Sequence, residues 1–152
     1  MDGLLFLKIM GDFTKLRNQI ERLKKATAEE QERVILSIIK GEEQSLLNLV
    51  RLQLFQGMDA DGNQLMPYQS EEYAKKKGRR IPDLYLTGSF HGRMFINTTK
   101  FPIIYWSSDS KTLKLVDKYG NILNLTEENK EGAAEEILKE QISLYYAGLF
   151  QI

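Results

Sequence analysis

The sequence predicts an α+β domain because helical and strand-like segments occupy different parts of the chain. The first third has apolar residues at helical spacing, the stretch from Leu84 to Asp117 has strand-like patterns, and the last part returns to a capped helix. Segregation of this kind is typical of α+β folds. We expect an N-terminal strand and two helices, a long loop, a small antiparallel sheet and a C-terminal helix in one domain, 1–152.

The composition suits one globular domain. The chain has 152 residues, 42% of them hydrophobic and 28% charged, and its 21 basic residues balance 21 acidic ones. A domain of this length buries roughly two-thirds of the surface that its unfolded chain exposes. A net charge of zero disfavours a protein that grips nucleic acid over its whole face, because such binding needs a surplus of Lys and Arg to displace counterions.

The start of the chain does not resemble a signal peptide. Met1 to Met10 is apolar but short, Asp2 stands where a positive charge is usual, and Lys8 interrupts the run. No stretch approaches the roughly 18 apolar residues that span a bilayer. Cysteine is absent, which excludes disulfides and thiolate metal sites. We expect a soluble protein in the cytoplasm of whatever cell makes it, with no membrane contact and no cofactor.

The first two elements are a strand and a helix. Leu4 to Met10 is predicted as the strand, because Gly11 cuts short the alternative of a buried helical turn. Asp12 would then cap the first helix. The apolar positions of this helix are Phe13, Leu16, Ile20 and Leu23.

The second helix begins at a capping box. Thr27 and Glu30 have the required spacing, and apolar residues continue to about Gln56. Gly41 marks a bend or a break. The second half is apolar on more than one face, which fits a central core helix and also fits a helix that packs partly against another subunit. The two interpretations do not exclude each other.

A long connection follows, and then the predicted sheet. Gly57 to Pro82 holds at most a short helix, Ser70 to Lys77, and loops of this length are usually functional or partly disordered. Strands are predicted from Leu84 to Ile96, from Phe101 to Trp106 and from Lys111 to Asp117, where apolar and polar residues alternate. This gives three or four antiparallel strands. Turns are expected at 107–110 and 119–121, and Thr126 would cap the last helix.

Two segments partly resemble a catalytic site and a calcium-binding loop, and neither has the complete motif. His91 is the single histidine, and no Gly-x-Ser-x-Gly turn surrounds Ser89, so we interpret His91 as a surface or interface residue. Asp59 to Asn63 looks like part of a calcium loop, but aligning Gly62 with the obligatory glycine puts a tyrosine at the final ligand position. A β-turn explains the segment better. We expect no enzyme and no metal site.

A basic cluster is the strongest local charge feature. It comprises Lys75, Lys76, Lys77, Arg79 and Arg80. Such a run is usually a solvated helix end, but it can also contact nucleic acid or an acidic partner. The C-terminal helix is acidic, so in a ring the cluster of one subunit could meet the acidic helix of its neighbour. Reversing the charges of Lys75 to Lys77 would then impair assembly.

The layout resembles the virion-morphogenesis family of tailed bacteriophages, the tail-completion or neck proteins that join head to tail. The likeness is carried by Leu7 to Asp12 leading into Leu16 to Leu23, by Asp59 to Ser70, by Leu84 to Phe90 and by Asn121 to Asn129. Together these segments and their spacing cover most of the chain. Met66 stands where the family usually has Trp, and Ser89 where it has Arg.

The resemblance implies a structural virion protein. Such proteins form a ring at the neck, six-fold in the family, that links the head connector to the tail. The resemblance is also compatible with contact between the protein and DNA in the lumen of the ring. An alternative interpretation is that the chain is a small nucleic-acid-binding module that uses Lys75 to Arg80 together with nearby tyrosines. A regulatory protein of mobile elements is a third. The candidate interface residues are Asp59, Asp61, Tyr68, Tyr73, Lys75, Lys76, Lys77, Arg79, Arg80, Tyr85 and His91.

Overall fold

The α+β class is confirmed by a computed structural model, which describes residues 14–18, 20–22 and 27–150. Helices dominate these residues, and a small antiparallel sheet lies between them in the chain. The described residues of 14–22 are helical, as the spacing of Leu16 and Ile20 predicts. The predicted strand from Leu4 to Met10 and the Asp12 cap lie outside the described residues.

The long second helix is broken where the sequence indicates. Helix α1 spans Ala28–Gly41 and helix α2 spans Glu43–Phe55, with Glu42 between them. The capping box of α1 is confirmed: the Thr27 hydroxyl accepts from the backbone N–H of Glu30, and the Glu30 carboxylate accepts from the N–H of Thr27. The break directly after Gly41 agrees with the bend or break predicted there.

Helix α2 supplies the centre of the core. Its buried side chains, Leu46, Leu47, Val50, Gln53 and Leu54, lie on one face of the helix, whereas the apolar residues Leu52 and Phe55 outside that face are exposed. Residues from the loop, the sheet and the C-terminal region pack around them. The core contains Leu46, Leu47, Val50, Leu54, Leu65, Phe90, Met94, Ile96, Tyr105, Ile122 and Leu125.

The connection after α2 is held to the rest of the domain. The N–H of Leu65 donates to Gly57 O, and the N–H of Ala60 donates to Asn121 O. Helix α3 spans Glu71–Lys77, as predicted, and the Ser70 hydroxyl caps it by accepting from the N–H of Tyr73. Backbone hydrogen bonds of this kind position the loop against the α2 core.

The segment from Leu84 to Ile96 is a strand only at its end, so the longer predicted strand is wrong. A helical turn, α4, spans Ser89–Gly92, and strand β1 spans Met94–Asn97. Gly88 has φ 80° and Leu84 has φ 56°, both outside the extended region that a strand requires. These two positions bend the chain into a loop before the sheet begins.

The described sheet has two strands rather than three or four. Strand β2 spans Ile104–Ser107 and pairs antiparallel with β1, with Phe95 opposite Trp106 and Ile96 opposite Tyr105. The outer edge of β1 is covered at one point, where the N–H of Ile96 donates to the Glu43 carboxylate at 2.8 Å. This bond ties the sheet to the first turn of α2.

The predicted strand from Lys111 to Asp117 is a helix, α5, which spans Thr112–Tyr119. Its inward residues are Thr112, Leu115, Val116 and Tyr119, which have i, i+3, i+4, i+7 spacing, whereas Leu113 is 72% exposed. The Thr112 hydroxyl donates to Ser107 O, which joins the first turn of α5 to the end of β2. The alternation in the sequence covered too few residues to distinguish the two periods.

The C-terminal helix begins at Thr126, as predicted. Helix α6 spans Glu127–Ala133, a π-helical turn covers Ala134–Leu138, and helix α7 spans Lys139–Phe150. The Thr126 hydroxyl accepts from the N–H of Asn129. In the part of the chain that the structure describes, no helix combines the length and apolar character needed to cross a membrane.

Candidate functional site: a cleft with tyrosine walls and a cationic rim

A cleft of about 650 Å³ lies between α3, the loop before α4, and α5. Leu84, Phe90 and Leu115 give it an apolar part, and Tyr68 and Tyr73 reach it from the loop and from α3. The size falls in the range of pockets that bind ligands or side chains of a partner. Three segments of the chain, 68–77, 82–93 and 109–119, line this cleft.

Tyrosines form the walls of this cleft. The rings of Tyr68 and Tyr73 meet edge to face with centroids 4.9 Å apart, and Tyr85 and Tyr119 also line the cleft. Burial raises the pKa of Tyr68, and the nearby Asp83 carboxylate raises it further. Its phenol is therefore protonated at neutral pH. Tyrosine walls offer apolar contact together with hydroxyl hydrogen bonds.

Four cations from three segments of the chain line the cleft. They are Lys77, Arg93, Lys111 and Lys118. The Lys77 ammonium donates to Tyr85 O at 2.9 Å, and the Lys118 ammonium lies 5.0 Å from the ring centroid of Tyr119. In the described residues no salt bridge engages any of the four. The rim is consequently suited to an anionic or acidic ligand.

One carboxylate, Asp109, also lines the cleft, and its neighbours hold it in place. It accepts a 2.5 Å hydrogen bond from the Ser89 hydroxyl and another from the N–H of Lys111. These hydrogen bonds, the Ser89 one foremost, lower the pKa of Asp109. The chain's single histidine is bonded elsewhere, so the Ser89 hydroxyl has no histidine base. The pair positions α4 against α5.

The wall that carries Tyr85 depends on unusual backbone. Leu84 has φ 56°, which costs a bulky L-residue of order 1–3 kcal/mol. Gly88 has φ 80°, and a Cβ there would lie 2.8 Å from the Tyr85 hydroxyl oxygen. Strained backbone of this kind tends to occur at functional sites. The cleft therefore combines a wall of fixed backbone conformation with rim cations that form no salt bridge among the described residues.

Four of the eleven predicted interface residues line the main cleft. These are Tyr68, Tyr73, Lys77 and Tyr85. A second, shallower groove of about 480 Å³ collects Lys75, Arg79 and Arg80 with the other side of Tyr68. Lys76 is exposed and lines neither one. The basic cluster is thus divided between two surfaces.

Arg79 is a structural residue within that cluster. Its guanidinium donates to Phe55 O, to Ile81 O and to the Asp83 carboxylate, the last at 3.1 Å. The ion pair with Asp83 is partly buried. These bonds fasten the end of α2 to the loop, so Arg79 is less available to a partner than Lys75 or Arg80.

His91 is not a surface residue, and that prediction is wrong. Only 3% of it is exposed, and its ring stacks on Phe55 with centroids 4.8 Å apart. Nε2 lies 2.9 Å from Asp83 O, a carbonyl that can only accept, so Nε2 carries the proton. Nδ1 is buried without a partner in the described residues. The imidazole of His91 is buried because the aromatic rings of Phe55, Tyr85 and Phe90 pack around it.

The Asp59 to Asn63 segment is the predicted turn. The Asp59 carboxylate accepts from the N–H groups of Asp61 and Asn63, and Gly62 has φ 80°. Asp61 faces Asn121, whose amide lies 3.4 Å from its carboxylate. Among the described residues, no group of three or more His, Asp or Glu is placed to hold a metal ion.

Three of the four rim cations and the rim carboxylate Asp109 were not predicted from the sequence. Arg93, Asp109, Lys111, Lys118 and Tyr119 all line the cleft but were not among the candidates. The available signal was the seven-residue spacing of Lys111 and Lys118, which places both on one face of a helix. The incorrect strand prediction for this segment concealed it.

Comparisons with known proteins give no relatives. No protein-family model matches the chain, and neither a curated protein nor a solved structure is significantly similar to it.

Proposed function

We propose that the chain is a structural protein of a tailed-bacteriophage virion, a neck or tail-completion component that forms a ring and joins the head connector to the tail. The observation that carries the proposal is an exposed apolar patch on the loop side of α2, formed by Leu52, Phe55, Tyr85 and Leu86. Leu52 is 57% exposed and Leu86 63%, while the rings of Phe55 and Tyr85 lie 5.6 Å apart. Large exposed apolar surfaces typically mark protein contacts.

The patch continues into the cleft. Tyr85 and Leu86 belong to both surfaces, so apolar contact and charged contact lie side by side. Interfaces commonly have an apolar centre with a polar rim, and this arrangement supports a role in assembly. The resemblance of Asp59 to Ser70 and of Leu84 to Phe90 to neck proteins supports the particular assembly, because both segments border this surface.

Immunogold labelling tests the proposed function. Particles produced from the genome that encodes the chain would be treated with antibodies against the purified protein and imaged. We expect gold at the junction of head and tail. Particles labelled only on the capsid or the distal tail, or no labelled particles at all, would contradict the proposal. Antibodies against an unrelated protein of similar size provide the control.

A nucleic-acid-binding module is the second candidate, favoured by tyrosines beside cations. Bases stack on exposed tyrosine rings, and Tyr73 and Tyr85 are both exposed next to Lys77. If this function holds, the protein should retard DNA of arbitrary sequence in a gel at low salt. The DNA should be released as the salt concentration rises. No shift at low salt would remove this candidate.

A further inference from the structure

We propose that the cleft receives the acidic first half of the C-terminal helix of a second copy of this chain. The inference deepens the proposed ring function and rests on it. It names both halves of the subunit contact: the cations Lys77, Arg93, Lys111 and Lys118 on one copy, and exposed glutamates of α6 and the π-helical turn on the next.

The glutamates that would enter the cleft are unengaged. Glu127 pairs with Lys130 and Glu135 pairs with Lys139, both at the surface. Glu128, Glu131 and Glu136 are exposed and form no salt bridge among the described residues. Glu128 and Glu131 are three residues apart and so share one face of the helix.

Charge complementarity favours this partner over others. The rim carries four cations and one carboxylate, Asp109, whose oxygens already accept hydrogen bonds from within the chain. A helix face with several unpaired glutamates supplies the missing opposite charge. Complementary charges of this kind set orientation and speed association more than they add raw affinity.

The C-terminal helix cannot fill the cleft of its own chain in this fold. Its far end is fastened to α1 and the α1–α2 junction, where Tyr146 donates to Gln31 and Gln141 contacts Glu42. Ala133 is buried in the core. The cleft is lined by residues from Tyr68 to Tyr119, so no residue of the C-terminal helix lines it. The contact must therefore join different copies.

The two surfaces differ, so the contact is head to tail. Each subunit offers its cleft to one neighbour and its acidic helix to the other. Repetition of such a heterologous contact gives a closed ring when the rotation closes. The proposal thus supplies a physical route to the ring that the neck function requires.

Charge reversal on each side tests the contact. One variant carries Lys111→Glu and Lys118→Glu, and a second carries Glu128→Lys and Glu131→Lys. We expect each to weaken self-association, measured by sedimentation velocity at low salt, by about tenfold or more. A chain with all four changes should recover assembly, and so should an equal mixture of the two variants, because the swapped charges are again complementary.

Matched controls separate this contact from general charge effects. Glu29→Lys with Glu32→Lys has the same spacing and the same position after a threonine cap, but on α1. Lys76→Glu with Lys114→Glu reverses two exposed lysines that do not line the cleft. Both controls should assemble like the natural chain. Circular dichroism melting of every variant shows that each is folded.

The outcomes distinguish the contact from the function. Assembly that survives reversal of both sides, or that is not recovered by the four-fold change, overturns the contact while leaving a ring by another surface. A natural chain that stays monomeric at high concentration also overturns it, and the neck function is then judged by the labelling of particles. Loss of DNA binding on cleft reversal, with assembly unchanged, assigns the cleft to nucleic acid instead.

Discussion

His91 is enclosed by aromatic rings, and its protonation state affects the stability of the segment around Tyr85. Phe55 stacks on it, and Tyr85 and Phe90 pack at angles to it. Burial lowers the pKa of His91, although the hydrogen bond with Asp83 opposes this effect. Protonation would put a charge among apolar groups, beside the exposed apolar patch. The His91 imidazole therefore links low pH to a loss of stability in the cleft wall that carries Tyr85.

We expect the free energy of unfolding to fall as pH decreases from 7.5 to 5.5. The pKa of an unfolded histidine is about 6.5 and that of folded His91 is lower, so the unfolded chain binds more protons below neutral pH. The stabilisation is complete above the unfolded pKa and is lost as pH falls through the folded one. Urea midpoints at several pH values measure this.

The variant His91→Phe should flatten that pH dependence. It keeps an aromatic ring against Phe55 and removes the chain's single histidine. Its stability at pH 7.5 should fall somewhat, since Asp83 O loses its donor. An equally steep decline in the variant and in the natural chain would show that other groups are responsible.

Gln53 joins two elements that lie far apart in the sequence. Its buried side-chain amide donates to Asn124 O, and its carbonyl accepts from the N–H of Thr126 and the amide of Asn129. It thereby fixes the start of the acidic C-terminal helix on α2. This amide therefore helps to orient the acidic helix that we assign to the contact with the neighbouring copy.

Gln53→Ala should therefore destabilise the domain by about 3 kcal/mol, because several buried polar groups lose their partner. Chemical denaturation gives the value. Gln56→Ala is the control: Gln56 is exposed at the end of the same helix, and its change should stay within about 0.5 kcal/mol. Equal effects of the two substitutions would contradict the anchoring role.

Elements with local signals were predictable, and elements without them were not. Thr27 and Thr126 cap their helices with residues three positions away, so their patterns are readable in the sequence. The helix Thr112–Tyr119 was mistaken for a strand because its inward face is set by packing on the core. Gln53 was missed since its partners lie more than 70 residues away.

The candidate site was predictable only in part, for a similar reason. The basic cluster and its tyrosines are contiguous in sequence, and Tyr68, Tyr73, Lys77 and Tyr85 do meet in the cleft. Arg93, Lys111 and Lys118 reach the same cleft from other segments, which composition cannot show. Because Lys75 and Lys76 do not line it, we now expect Lys77 to matter most within the cluster.

We propose that the complete chain assembles with itself into a closed ring. An apolar patch, a cationic cleft and an acidic helix on one subunit are the surfaces that support it. Native mass spectrometry of the purified chain across a range of concentrations tests the claim most directly. We expect one discrete oligomeric mass, and the family resemblance implies six subunits. A monomer at every concentration, or an open-ended series of masses, would contradict it.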